Sequence, residues 1–285
     1  MPNWFDLETY LEPLRLGLVQ RGLLAALIVA IVCGVMGAFV VVRGLAFLGD
    51  ALGHAVFPGV VIAYLLNLNP LIGGVIAGIV TTVGISLVAR QRQIRESTAI
   101  GIFYTVAFAL GALLLSRSRS ASRALSELLI GNVLAVRPQD LWLTMIIGGS
   151  VLLVVALLYK ELVLISFDPA LAAAHGRNVA LLDALLFALL ALTIVVALQT
   201  VGNVMVVALL VVPAATGRLL TRSLPPLMAW AALIGSLSTI VGVYVSYYAN
   251  IASGGAIVLC ACTIFFGVLV AKEARQRWIA RSFAQ

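Results

Sequence analysis

The sequence predicts an all-α polytopic membrane protein with about eight to nine transmembrane helices. Three observations lead there. First, 63% of the 285 residues are hydrophobic and 10% are charged, against about 25% charged in a soluble domain. Such a chain cannot cover its own surface with polar groups. Second, apolar runs near the ~20 residues needed to span hydrocarbon recur along its length. Third, the basic residues gather in the connections between alternate runs, as they do in loops held on the cytoplasmic side. The formal net charge of +7 is therefore a topology signal and not a nucleic-acid signal.

Residues 1–16 carry Asp6, Glu8 and Glu12 and lack the basic start of a signal peptide. With Trp4 they are expected to form a short interfacial segment. Apolar runs follow at about 19–42, 71–89, 99–116, 141–159, 180–200, 226–249 and 255–271. Two shorter runs, about 54–66 and 204–220, contain Pro58 and Pro213. Short spans interrupted by proline either line a transport cavity, where irregular backbone is tolerated, or are ordinary kinked helices.

Arg90, Arg92 and Arg95 share one connection; Lys160 and Arg177 share another; Arg218 and Arg222 share a third. Lys272, Arg275, Arg277 and Arg281 form the tail. If both short runs cross, all four groups fall on the cytoplasmic side, with the N-terminus outside and the C-terminus inside. The connections at 67–70, 200–203 and 250–254 carry no charge and face outside. The segment 116–140 breaks this pattern, since it would lie outside yet holds Arg117, Arg119, Arg123 and Arg137. Eight crossings, or a segment folded back on the bundle, would accommodate it.

Gly74-xxx-Gly78 is a small-residue pattern for helix contact. Cys33, Cys260 and Cys262 do not suggest a disulfide framework and read as small buried hydrophobes. No linker and no internal repeat divides the chain, so 1–285 is expected to be a single transmembrane domain.

The stretch from Arg43 to Leu66 carries the chemistry. It holds Gly49-Asp50, His54 and Pro58-Gly59 inside an otherwise apolar chain. On one helix, Asp50 and His54 stand four residues apart and share a face. A carboxylate and an imidazole on one face suit a divalent metal, and ionisable residues within spans are costly and usually functional. The competing reading makes Asp50 the cap of a helix starting near Leu52, with His54 merely packed. Elsewhere, Asp168 suits an N-cap, Pro169 a first helical position and Gly176 a stop. These residues predict a short helix at about 168–178, either a mere connector or a docking element. Both lysines are followed by glutamate, so the Gly-Lys-Ser/Thr phosphate loop of an ATPase is absent. A His-Glu-x-x-His metalloprotease signature is absent too.

Four stretches make the chain resemble the membrane permeases of bacterial ABC importers for manganese, zinc and iron(II). The first is VVRGLAFLGDALGHAVFPGVVIAYLL, with Gly-Asp-Ala-x-x-His-Ala-x-x-Pro-Gly at Gly49 to Gly59. The second is Glu96-Ser97-Thr98-Ala99-Ile100-Gly101-Ile102. The third is Ile130-Gly131-Asn132-Val133-Leu134 with Gln139-Asp140 following. The fourth runs from Phe167-Asp168-Pro169 through Val201-Gly202 to Leu210–Thr216. The family more often has Met where Leu48 stands and Arg-Arg where Arg43-Gly44 stands; neither change removes a ligand.

The resemblance implies a fold like that of the type II importer permeases, with two permease copies around one path. It implies that Asp50 and His54 coordinate the metal, and that the helix after Phe167 docks in the cytoplasmic ATPase. On that reading Phe167, Asp168, Pro169, Ala172, Ala173 and Gly176 belong to the coupling element. Two copies would supply two carboxylates and two imidazoles, enough for Zn²⁺, or for Mn²⁺ with added oxygen ligands. His175 is expected to be structural or solvent-facing. The expected partners are a second permease copy, an ABC ATPase dimer, an extracytoplasmic metal-binding protein and membrane lipid, with no nucleic acid and no tightly bound cofactor. The location is the bacterial cell membrane, and the chain itself is a permease and not an enzyme.

Two other classes compete. A self-sufficient secondary metal or proton-coupled transporter would need a relay of buried acids, and Asp183 is the only further acid well placed in a span. An intramembrane metal-dependent enzyme would need a hydrolytic activity that depends on Asp50.

Overall fold

The computed structural model describes residues 15–89, 96–116, 133 and 136–282. Among them no strand occurs, and the chain is built from helices in the order α1 (Gly17–Val42), α2 (Ala46–Leu65), α3 (Pro70–Ala89), α4 (Glu96–Ser116), α5 (Pro138–Leu157), α6 (Tyr159–Phe167), α7 (Pro169–Ala174), α8 (Val179–Val201), α9 (Asn203–Leu220), α10 (Leu224–Ala249) and α11 (Ser253–Ser282). Hydrocarbon leaves no solvent partner for backbone N–H and C=O groups, and a helix satisfies them within the segment. Eight of these helices are long and apolar enough to cross a membrane: α1, α2, α3, α5, α8, α9, α10 and α11. The apolar α4 packs on α2 and α3. The chain is thus a multi-pass membrane protein of the class the composition predicts.

Every expected apolar run is a helix, but the first of the two short ones is longer than its hydropathy. α2 begins at Ala46, ahead of the run at 54–66. Gly49, Asp50, Gly53 and His54 lower the local hydropathy without ending the helix. Pro58 and Pro213 lie inside unbroken α2 and α9. Each proline removes a single i→i−4 bond, and neighbouring helices hold the turn. Neither span is a broken helix, so the interruption expected at Pro58 and Pro213 is absent.

The connection at 200–203 is also tighter than expected. Gly202, at φ +85, both ends α8 and precedes α9. A side chain rarely adopts that conformation. At the other end of α5 the helix reforms after Leu158 as α6 and carries the chain to Phe167. Residues 1–14, the arginines at 90, 92 and 95, and the arginines at 117, 119 and 123 lie outside the described residues.

α10 packs along α1, and α9 fills the space between α1, α10 and α11. α3 and α4 lie on α2, while α8 contacts α1, α3 and α5. Close approach depends on small residues, as expected between membrane helices. A Cβ on Gly59 or on Gly73 would collide with the other's backbone carbonyl, so α2 and α3 touch backbone to backbone. The Gly74 and Gly78 pattern is a helix contact, against Val195 and Ala191 of α8. Cys33 is buried, and none of the three cysteines is in a disulfide. The buried centre includes Phe39 and Met36 of α1, Leu48 and Leu52 of α2, and Leu190 and Ile194 of α8. The outer faces remain apolar, with Ile76, Val80, Trp142, Leu153, Leu259 and Phe266 exposed. That surface matches lipid as its solvent.

Candidate metal site and coupling element

Asp50 lies in the second turn of α2 and His54 one turn later. Because α2 starts at Ala46, Asp50 is inside the helix and does not cap it. His54 Nε2 stands 3.6 Å from Asp50 Oδ1, too far for a hydrogen bond. Two ligands each about 2.1 Å from a tetrahedral ion stand roughly 3.4 Å apart. The gap therefore fits a shared cation better than a direct bond. The Asp50 side chain is 43% exposed and His54 20%.

Aromatic rings hold the imidazole on one flank. Tyr104 and Phe108 of α4 meet it edge-on at 5.1 and 5.7 Å between centroids, and Phe57 of α2 stacks at 6.1 Å. Tyr104 and Phe108 stack on each other at 6.2 Å. Sequence reasoning passed over these two residues. Their spacing of four in an apolar helix was the available signal, though core packing produces the same spacing.

The other flank is glycine. A Cβ on Gly53 would collide with Asn203 Oδ1, and one on Gly49 with Leu210. The absence of both side chains lets α9 lie flush on α2, on the face that carries Gly49 and Gly53. Asn203 is 3% exposed, and its Oδ1 has no hydrogen-bond partner among the described residues. It faces the Gly53 backbone, where a weak C–H···O contact is available.

Among the described residues no group of three or more His, Cys, Asp or Glu side chains gathers. One copy of the chain thus offers a carboxylate and an imidazole on an open face, an incomplete ligand set for any divalent ion.

The short helix after Phe167 is α7, of six residues. Asp168 Oδ1 accepts from Leu171 N at 2.9 Å, and Pro169 is the first helical residue. Gly176, at φ +73, follows the end of the helix. His175 is exposed, with Nδ1 2.9 Å from Leu171 O. Arg177 reaches back to Glu161 of α6 at 3.2 Å. Ala172 is fully buried, whereas Phe167 is 54% and Leu171 44% exposed. Ala173 is exposed as well. The element is a capped, braced helix that presents apolar side chains to solvent. Of the residues assigned to it from sequence, Ala172 alone faces inward.

The third stretch of the resemblance is described only at Val133 and from Val136 onward. Asp140 falls in the first turn of α5, where its Oδ2 accepts from Arg137 N at 3.3 Å. That is a capping role.

These features define a multi-pass membrane protein with an incomplete metal-ligand set on one helix. The family model described as the ABC 3 transport family matches residues 15–272, and the chain belongs to that family. It is 48% identical over 247 residues to the manganese transport system membrane protein MntC of Halalkalibacterium halodurans, covering 87% of this chain and 85% of that one. The structure is similar to a chain of PsaBC from Streptococcus pneumoniae in complex with Fab. The TM-score is 0.83 and the identity 35%, covering 92% of this chain and 95% of that one. An ABC transporter solved in an inward-facing conformation is similar at TM-score 0.73 and 17% identity, covering 95% of this chain and 91% of that one. At that identity the likeness bears on the fold alone.

Proposed function

We propose that this chain passes a divalent transition metal ion, manganese foremost, into the cytoplasm as the permease of an ATP-driven importer. The ion is cargo, first held in the membrane by Asp50 and His54. A second copy of the chain brings the same two groups, and together the four ligands hold one ion. The whole chain acts as one transmembrane domain with a cytoplasmic C-terminus and an N-terminus outside. A separate ABC ATPase dimer docks on the element from Phe167 to Gly176 and supplies the energy, and an extracytoplasmic metal-binding protein delivers the ion. Its location is the bacterial cell membrane.

The observation that carries the reading is the 3.6 Å gap between Asp50 and His54 on one open face of α2. Manganese is favoured by the name of the relative from Halalkalibacterium halodurans. A histidine–carboxylate set also accepts Zn²⁺ and iron(II), so selection would rest on geometry and supply more than on affinity. Asp183 is paired with Arg43, so the further acid that a proton-coupled transporter would use is already held by a cation.

The test is metal uptake into liposomes that hold the permease, its ATPase and its binding protein. ATP should drive Mn²⁺ uptake, and His54→Ala should abolish it while the complex still assembles. Uptake driven by a pH gradient without the ATPase would instead establish the secondary transporter.

A further inference from the structure

Asp183 lies in the second turn of α8, and the transport reading above leaves it without a task. Its Oδ1 stands 2.8 Å from Arg43 Nη1. Arg43 is the residue on which α1 ends. Gly44, at φ +71, then turns the chain into α2. The Arg43 guanidinium carbon also sits 5.6 Å from the centre of the Phe187 ring, one turn along α8. The two charged side chains are 12% and 25% exposed. Withdrawing both charges from water is costly, and well-packed apolar residues often hold such a contact equally well. The pair therefore calls for a role other than net stability.

Two functional segments meet at this pair. Toward one side, Arg43 is followed by the turn that launches α2, with Asp50 seven positions on and His54 eleven. Toward the other, α8 starts directly after the coupling element. Asn178 caps α8 by accepting from Leu181 N at 3.1 Å, and the preceding Arg177 is tied to Glu161. A displacement of α7 thus has a short, braced path to Asp183. Beside the pair is a small apolar cavity lined by Met36, Leu45, Leu48 and Leu186.

We propose that the Arg43–Asp183 pair carries movement of the coupling element to α2 and so repositions Asp50 and His54 when the ATPase acts. The inference rests on reading Asp50 and His54 as the metal ligands and α7 as the docking helix. Neither Arg43 nor Asp183 touches the ion; both are positioning residues. An ion pair suits the task because it stays engaged over small displacements, whereas a close-packed apolar contact loses its attraction over a fraction of an ångström.

The test measures Mn²⁺ uptake and ATP hydrolysis together in the reconstituted complex. Asp183→Asn keeps the shape and removes the charge. It should leave ATP hydrolysis and the amount of Mn²⁺ bound per chain unchanged, and lower uptake per ATP about ten-fold. Exchanging the charges, Arg43→Asp with Asp183→Arg, should restore much of the ratio; a merely structural contact would instead change hydrolysis or Mn²⁺ binding along with uptake. If Asp183→Asn fails to assemble, Arg43→Lys keeps the charge but loses the planar contact with Phe187, and should lower the ratio several-fold. An unchanged ratio in whichever variant assembles overturns the inference, as does an exchanged pair no better than the single variants. His54→Ala is run alongside. If it imports at full rate, the metal-site reading fails; if it is dead while Asp183→Asn is fully coupled, only the present inference fails.

Discussion

Asp50 and Asp183 both lie in the second turn of a membrane helix, and the structure treats them in opposite ways. Asp183 meets a permanent cation, Arg43, at 2.8 Å, under the cover of Phe187. Asp50 meets only an imidazole, 3.6 Å away, and its side chain is nearly half open. No Lys or Arg pairs with Asp50 among the described residues. A carboxylate among apolar helices is costly without a counter-charge. One acid carries its counter-charge within the chain, and on the proposed function the other takes it from the transported ion. The contrast separates a charge that joins two helices from a charge proposed to take a ligand.

The largest effect is expected from neutralising the open acid. Asp50→Asn keeps the shape and should weaken Mn²⁺ binding by more than about 100-fold, beyond what losing a group behind a ligand produces. Calorimetry on the purified permease reads this, and a melting temperature close to the parent's shows that the fold survives. Binding within a few-fold of the parent would remove Asp50 from the site.

On the Asp183 side, Ala173→Glu should detach or uncouple the ATPase and cut uptake about ten-fold or more, with metal binding in the membrane intact. Ala173 is the clean probe because it is exposed. Ala172 has no exposure, and a bulky residue there would destabilise the fold by overpacking, about 1–3 kcal/mol. Normal uptake by Ala173→Glu would mean that this helix does not dock.

A third variant makes one acid resemble the other. Phe47 is 80% exposed and precedes Asp50 by three positions on α2. Phe47→Arg offers Asp50 a cation of its own, as Arg43 does for Asp183, and should lower Mn²⁺ affinity roughly ten-fold through the like charge of the ion. Unchanged affinity would show that the counter-charge is not what distinguishes the two sites. The smallest effect belongs to the other histidine. His175→Ala removes only an exposed contact to Leu171 O and should change stability by less than about 0.5 kcal/mol. A large loss of uptake would move His175 into the docking surface.

Much of this was legible in the chain, for local reasons. Asp50 and His54 share a face because the helical repeat requires it, and Asp168 caps α7 through a bond that spans three residues. The nine apolar runs are visible because lipid leaves the backbone few options. What escaped the sequence is tertiary. The contact of Asn203 with Gly53 joins positions 150 apart, and that of Arg43 with Asp183 joins positions 140 apart. No local pattern announces either. Tyr104 and Phe108 were masked by their own ordinariness in an apolar helix. Pro58 and Pro213 misled because hydropathy cannot tell a proline held by its neighbours from one that breaks a span.

The central claim is that one copy brings only half of a metal site. The most direct measurement is the number of Mn²⁺ ions bound by the purified permease, counted against chain concentration, with the Asp50→Asn variant as the blank. The account predicts one ion for every two chains, lost in the variant. One ion for every chain, or binding that persists in Asp50→Asn, would contradict it.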